Sequence, residues 1–291
     1  MVELTIHTYT AAEGGLFVNS YLLETPAGVV VVDTNLLVSD IAALKARLAA
    51  LHKPLLGVFI THAHPDHFNG ALELVRDREV PVHATSGVVK VIGEVAGAKR
   101  AQWRPVYGAE WPTETYYPNT ELGDGQPVMV DGLTITAREL GPGESHADSI
   151  LLVQPAGGAG APLAFTGDLG FGHAHPYTAD GHTGAWLATL DRLAEELARS
   201  GVRRLLPGHG APTGMGLLAD QRRYLLFYRE VVRRLADGAP KLSDAAKGDL
   251  EAMMRRFLPD APLTWMIGLG ADAVAAELAA EPDRPPSGRE P

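Results

Sequence analysis

One stretch narrows the fold more than any other. The apolar run Leu55-Leu56-Gly57-Val58-Phe59-Ile60 gives way at once to Thr61-His62-Ala63-His64-Pro65-Asp66-His67. A strand-like segment that ends in three histidines and an aspartate presents metal-ligand types at the edge of a sheet. Neutral imidazole and carboxylate suit zinc and neighbouring first-row ions, and a hydrolytic zinc keeps one position open for water. Four such groups exceed what one catalytic zinc needs. In extended or loop backbone His62 and His64 can point the same way, whereas Asp66 and His67 follow the turn at Pro65 and can face a second ion. The spacing therefore predicts two adjacent metals. A histidine-rich surface loop is the plainer alternative, but it does not account for this density of ligand types directly after an apolar run.

The His-x-His-x-Asp-His pattern resembles the signature of the metallo-β-lactamase superfamily, and further segments stand in the order that the resemblance requires. Upstream, Val29-Val30-Val31-Val32-Asp33-Thr34 is similar to the family's first motif, a strand ending in an aspartate that supports the metal loop without being a ligand. Downstream, Gly141-Pro142-Gly143-Glu144-Ser145-His146, Phe165-Thr166-Gly167-Asp168 and Leu206-Pro207-Gly208-His209-Gly210 resemble the third, fourth and fifth. The likeness spans about the first three quarters of the chain. It implies one ion held by His62, His64 and His146, a second held by Asp66, His67 and His209, and Asp168 bridging both. Two zinc ions are implied, with manganese or iron as substitutes. The implied chemistry is attack by a metal-bridging hydroxide on a carbonyl, in a site whose ions stand about 3.5–4 Å apart. Asp66 doubles as the catalytic residue that orients the hydroxide and moves a proton toward the leaving group.

Composition removes several alternatives. Lysine and arginine total 25 against 35 aspartates and glutamates, a formal net charge of −10, which disfavours a nucleic-acid backbone as partner. No apolar run approaches 18 residues, and Met1-Val2-Glu3-Leu4-Thr5-Ile6-His7 lacks the basic and apolar regions of a signal peptide, so no membrane partner and a cytoplasmic location are expected. With no cysteine there are no disulfides and no cysteine ligand of the kind the best-known zinc β-lactamases use. The pattern looks closer to hydrolases of thioesters, lactones and related esters.

Along the chain, Leu16 to Val32 reads as a strand hairpin around Thr25-Pro26-Ala27-Gly28. Ile41, Leu44, Leu48 and Leu51 fall at helical spacing. A helix is expected from near Asn69, and strands at Pro81–Ala84, Leu133–Ala137, Ser149–Gln154, Leu163–Thr166 and Val202–Leu206. A Gly157-Gly158-Ala159-Gly160 turn joins two of these strands. Trp186, Leu190, Leu193 and Leu197 mark an amphipathic helix. After Thr213 the periodicity is helical, through Leu225, Tyr228, Val231 and Leu235, then Leu250, Met253, Met254 and Phe257. The expected architecture is α+β, the four-layer αβ/βα sandwich of the metallo-β-lactamase fold implied by the resemblance. It comprises a catalytic core over 1–215, a C-terminal helical extension packed on it over 216–280, and a disordered tail over 281–291.

Substrate choice must come from outside the metal motifs. Trp103, Tyr107, Trp111, Tyr116 and Tyr117 crowd one segment and either wall a pocket or pin an irregular insertion to the core. Phe171 to Tyr177 follows Asp168 closely enough for a side chain to reach substrate. Its His173 and His175 echo a metal motif whose ligand set is already complete. Arg222, Arg223, Arg229, Arg233 and Arg234 could hold an acidic thiol conjugate, as in glyoxalase II, or simply form a solvated helix face. Gly268 and Gly270, beside Trp265 and Met266, read first as ordinary core packing, with a helix break or a subunit contact as alternatives, and a homo-oligomer is open. The expected function is a dinuclear zinc hydrolase of a small carbonyl ester, thioester or lactone. The alternatives are a mononuclear iron enzyme of the persulfide dioxygenase type, disfavoured by His67 and His209, and a non-catalytic metal-binding or regulatory protein of the same fold.

Overall fold

A computed structural model describes residues 3–156 and 160–281. The first half of the chain builds a six-stranded sheet from β1 (Thr5–Thr10), β2 (Asn19–Glu24), β3 (Val29–Val32), β4 (Leu55–Phe59), β5 (Val82–Thr85) and β6 (Thr120–Leu122), in that spatial order. The first three are antiparallel hairpin neighbours and the rest run parallel. The parallel part needs crossovers, supplied by α1 (Val38–Ala50), by the short α2 (Pro65–Phe68) and α3 (Ala71–Val75), and by α4 (Ser86–Tyr107). The second sheet has the order β11-β10-β9-β8-β7, made of β7 (Pro127–Val130), β8 (Leu133–Gly141), β9 (Asp148–Pro155), β10 (Leu163–Phe171) and β11 (Arg204–His209). Helix α5 (Thr183–Arg199) precedes β11. Beyond it come α6 (Gly216–Ala236), α7 (Asp244–Phe257), α8 (Trp265–Leu269) and α9 (Ala271–Ala280).

The burial pattern explains the layering. Val29–Val32 is buried at every residue, as a strand covered on both faces must be, whereas β8 alternates with Leu133, Ile135 and Ala137 turned inward. Tyr21, Leu23, Val30, Val32 and Phe59 of the first sheet meet Leu133, Ile135, Leu151, Val153, Phe165 and Leu206 of the second. The outer face of the first sheet packs on α1, α3 and α4 through Leu44, Leu48, Leu74, Val88 and Ile92. The outer face of the second packs on α5 and α6 through Trp186, Leu190, Leu193, Leu197 and Leu225. The expected helix–sheet–sheet–helix sandwich is the observed one. A separate core of Tyr228, Val232, Leu250, Met254, Ile267 and Val274 joins α6, α7, α8 and α9. Among the described residues no helix is long and apolar enough to cross a membrane.

The expected helix from Asn69 is two short helices separated by Asn69 and Gly70, and Trp103 and Tyr107 lie on the 22-residue α4, not on an irregular loop. That helix buries Val88, Val91, Ile92, Ala96 and Lys99, but Gly93, Gly97 and Pro105 obscure the stripe in the sequence. Gly270 is a helix break: a Cβ there would meet Thr178 Oγ1 at 1.9 Å, so only glycine lets the junction of α8 and α9 lie against the Phe171–Asp180 segment. The turn at 157–159 and the tail at 282–291 fall outside the described residues. Glu281, the first residue of the expected tail, pairs with Arg229 and Arg233.

Candidate metal centre

The parallel pairing of β3 with β4 brings Asp33, just past one strand, beside Thr61, just past the other. Asp33 accepts from the Thr61 amide at 2.9 Å and the Thr61 hydroxyl at 2.8 Å, and its Oδ2 stands 2.8 Å from His67 Nδ1. A buried carboxylate thus fixes the start of the histidine loop and turns His67 Nε2 the other way. Asp33 supports the loop and is not a member of either ligand group, as the motif implies. The loop is clamped from the second sheet as well, since Ser149 donates to the Thr61 carbonyl from its amide at 3.0 Å and its hydroxyl at 2.6 Å.

Two groups of converging ligand atoms result. Asp66, His67, Asp168 and His209 form one, and His62, His64 and Glu144 the other, and all seven side chains are buried. In the first group His209 Nε2 lies 3.1 Å from Asp168 Oδ2 and 3.3 Å from Asp66 Oδ2, and His67 Nε2 lies 3.4 Å from Asp168 Oδ1. In the second, Glu144 Oε2 stands 2.8 Å from His64 Nδ1 and 3.4 Å from His62 Nε2. Asp168 faces both, its Oδ2 reaching to 3.9 Å from His62 Nε2. The remaining ring nitrogens are held from behind: His209 Nδ1 by the Leu16 carbonyl at 2.8 Å, His64 Nε2 by Asp180 at 3.0 Å, and His62 Nδ1 by the Thr61 hydroxyl at 3.0 Å. Such backing fixes tautomer and ring direction in metal sites.

Gly208 makes the arrangement sterically possible. A Cβ there would lie 2.0 Å from Asp168 Oδ1 and 2.7 Å from His67 Cε1, so the residue before His209 must have no side chain. His62 Nε2, His67 Nε2, Asp168 Oδ1 and Glu144 Oε1 are buried without a hydrogen-bond partner. Unsatisfied imidazole and carboxylate atoms turned toward one another fit a divalent cation.

Of the seven residues expected as ligands, six converge. His146 does not. The Gly143–Asp148 turn is tied by Asp148, which accepts from the Ser145 amide at 3.1 Å and hydroxyl at 2.9 Å, and this conformation sends Glu144 inward and His146 out. The His146 side chain is 43% exposed, and its Nδ1 sits 2.6 Å from His182 Nε2. Glu144 occupies the expected place. Both residues are ligand types in one short turn, and spacing alone does not say which faces in. Asp180 and Lys99 were also missed, because neither belongs to a motif.

The electrostatics follow from burial against neighbouring charge. Burial disfavours the charged form of His67, yet Asp168, Asp66 and Asp33 outweigh it and raise its pKa well above the ordinary value. The same contest takes His209 up to about 10, with Asp168 the chief opponent of burial, and His64 up to about 10, with Glu144 in that role. His62 goes the other way: burial, reinforced by the nearby His67, holds it neutral. Burial pushes Glu144 up to about 8 against the pull of His64. Burial also opposes ionisation of Asp180, but His64 and Lys99 hold its carboxyl below the usual range.

A narrow cleft opens on both groups, with His64, Asp66, Glu144, Asp168 and His209 in its floor. Its walls are Trp103 and Tyr107 of α4, Trp111, Phe171, Tyr177 and Trp265 of α8. Trp103 packs edge-on to Trp265 with centroids 6.1 Å apart, and Phe171 stacks on the His209 ring at 4.9 Å. Lys99 donates to the Tyr177 hydroxyl at 3.0 Å and to Asp180 at 3.2 Å, so the polar side of the cleft is neutralised internally. Of the aromatic segment, Tyr116 packs on the core and Tyr117 is exposed. His175 is buried against Tyr224. The arginines are spent within the chain: Arg229 is buried with Glu277 and Glu281, Arg222 pairs with Asp191, Arg223 with Asp220, and Arg234 with Met253.

Residues 14–209 match the family model described as the metallo-beta-lactamase superfamily. Among solved structures, a metallo-beta-lactamase from Pontibacter korlensis aligns with a TM-score of 0.58 at 19% identity, over 78% of this chain and 99% of that one. A beta-lactamase domain protein from Burkholderia ambifaria aligns with a TM-score of 0.68 at 18% identity, over 94% and 86%. In sequence, the chain is 27% identical over 194 residues to the atrochrysone carboxyl ACP thioesterase AacuM of Aspergillus aculeatus. That stretch is 66% of this chain and spans half the length of the relative.

Proposed function

The chain belongs to the metallo-beta-lactamase superfamily, and we propose that, as a hydrolase of that family, it cleaves thioesters, esters or lactones with a bulky apolar or aromatic acyl group, using two divalent ions. The carrying observation is the juxtaposition of two buried ligand groups with a cleft walled by Trp103, Tyr107, Trp111 and Trp265. His67, Asp66 and His209 would hold one ion, His62 and His64 the other, and Asp168 would bridge them. Zinc is the first candidate ion. When bound, such ions supply Lewis acidity, lowering the pKa of water and stabilising a developing oxyanion.

The chain's own residues do the rest. The aromatic walls bury the acyl group and exclude water from it, which fixes the scissile carbonyl over the floor of the cleft. Asp66, at the floor and 3.3 Å from His209 Nε2, is placed to take the proton of the attacking water and pass it to the leaving group. Asp180 and Lys99 keep His64 and Tyr177 in position. The thioesterase name of the sequence relative supports a thioester among the candidate substrates. The group of Asp66, His67, Asp168 and His209, standing beside that of His62 and His64, argues against a mononuclear iron dioxygenase.

The test is a metal-loaded assay on matched acetyl and aryl-acyl thioesters, esters and lactones. The aryl-acyl compounds should show kcat/KM at least about tenfold higher, a difference of about 1.4 kcal/mol. Absence of turnover on every compound, or equal turnover of acetyl and aryl-acyl pairs, overturns the reading.

A further inference from the structure

The turn between β8 and β9 carries two ligand-type side chains, and the fold selects one. Glu144 is 1% exposed, its Oε1 has no hydrogen-bond partner, and its Oε2 meets two ring nitrogens. Both histidines nearest to it, His62 and His64, aim ring nitrogens at the same oxygen. His64 cannot turn away, because Asp180 holds its other nitrogen. Glu144 cannot leave without breaking the turn, which Asp148 ties through Ser145 and which the Gly143 amide closes on the Ser145 carbonyl at 3.0 Å. Nor is there room for a bulkier turn, since a Cβ on Gly143 would already meet Asp148 Oδ2 at 2.9 Å.

We propose that Glu144 is a metal ligand, so that the His62 and His64 position is a two-histidine, one-carboxylate set instead of three imidazoles, and that this favours oxygen-preferring ions such as Mn2+ and Fe2+ there. The inference rests on the two-ion reading above and assigns a ligand and a metal preference that it leaves open. Two arguments carry it. Carboxylate oxygen is a hard donor suited to manganese, imidazole suits zinc and copper, and two histidines with one carboxylate are the set that iron(II) enzymes use. Charge points the same way. Glu144, Asp66 and Asp168 together bring three carboxylates to two divalent ions, so more of the attraction is electrostatic and less depends on the softness of the donor. Zinc still binds more tightly in absolute terms, as for most nitrogen and oxygen sites. What Glu144 changes is the Mn2+:Zn2+ affinity ratio.

The experiment uses the full chain stripped of metal, with Mn2+ alone and Zn2+ alone added in equilibrium dialysis, and electron paramagnetic resonance of the bound Mn2+. Wild type, Glu144→Gln and Glu144→His are compared, with circular dichroism and thermal melting to establish that each is folded. Wild type should bind two ions of either kind. Glu144→Gln should weaken one of the two at least about tenfold, more for Mn2+ than for Zn2+, and leave the Asp66, His67, Asp168 and His209 position intact. Glu144→His should lower the Mn2+:Zn2+ ratio at one position by at least about tenfold. If it does not fold, Glu144→Gln decides alone. Two Mn2+ bound with wild-type affinity by folded Glu144→Gln overturns the proposal, as does an unchanged ratio in folded Glu144→His. Wild type that binds neither ion sinks the two-ion reading beneath it instead.

Discussion

Asp33 does not line the cleft, yet three bonds that fix the metal loop end on it. Replacing it by alanine strands the Thr61 amide and His67 Nδ1 in the interior, at about 1–3 kcal/mol for each unpaired group. Asp33→Ala should therefore lower the melting temperature and weaken one bound ion by about 10–100-fold, measured by titration of Zn2+ into the stripped protein. An unchanged metal affinity would show that His67 does not need its backing carboxylate. Gly208→Ala is the complementary case, because its methyl would displace Asp168 from between the two groups. At this scale the sequence was most legible where ligands come close together, as His62, His64, Asp66 and His67 do after one strand, or where each follows the apolar run of its own strand, as Asp168 and His209 do. It was least legible at Glu144 and His146. Two residues apart in a tight turn, they are told apart by the bonds from Ser145 to Asp148, which no spacing rule contains.

Among the elements, α4 differs most from expectation. Its buried stripe Val88, Val91, Ile92, Ala96 and Lys99 is helical in period, but two glycines and a terminal proline masked it, and its aromatic end reads as a loop. The consequence is functional: Trp103 is held by a helix packed on the first sheet, and Trp265 by the five-residue α8, packed on the helices beyond the second. Trp265→Ala should lower kcat/KM for an aryl-acyl substrate about tenfold while the acetyl analogue and the count of bound metal stay unchanged. A parallel loss on both substrates would assign Trp265 a structural role only. The inner sandwich strands, by contrast, were readable, because Val29–Val32 and Leu163–Phe165 are apolar runs and β8 alternates, whereas β1, β6 and β7 at the sheet edges were not expected.

Across the whole molecule, the Phe171–Asp180 segment ties the sandwich to the C-terminal helices. His175 donates its amide to the Pro262 carbonyl, and its Nδ1 lies 2.9 Å from the Tyr224 hydroxyl. Burial, then Arg255 and His173, lower its pKa to about 4 from the ordinary 6.5. Between these values the unfolded chain takes a proton that the folded chain refuses, so stability falls as pH drops through that window and is untouched above it. Urea unfolding at pH 7 and pH 4.5 should show a smaller loss of stability in His175→Asn, whose amide oxygen can still accept from Tyr224, than in wild type. Equal losses would remove His175 from the acid response.

The family match ends at His209, the last of the converging ligands, yet Trp265 and Met266 of α8 line the same cleft. Reactive groups and one wall of the binding site are thus encoded in separable stretches of the chain. On the function proposed above, a chimaera that carries a relative's helices after residue 215 should change its acyl preference and keep its count of bound metal, because the converging ligands all lie before that point.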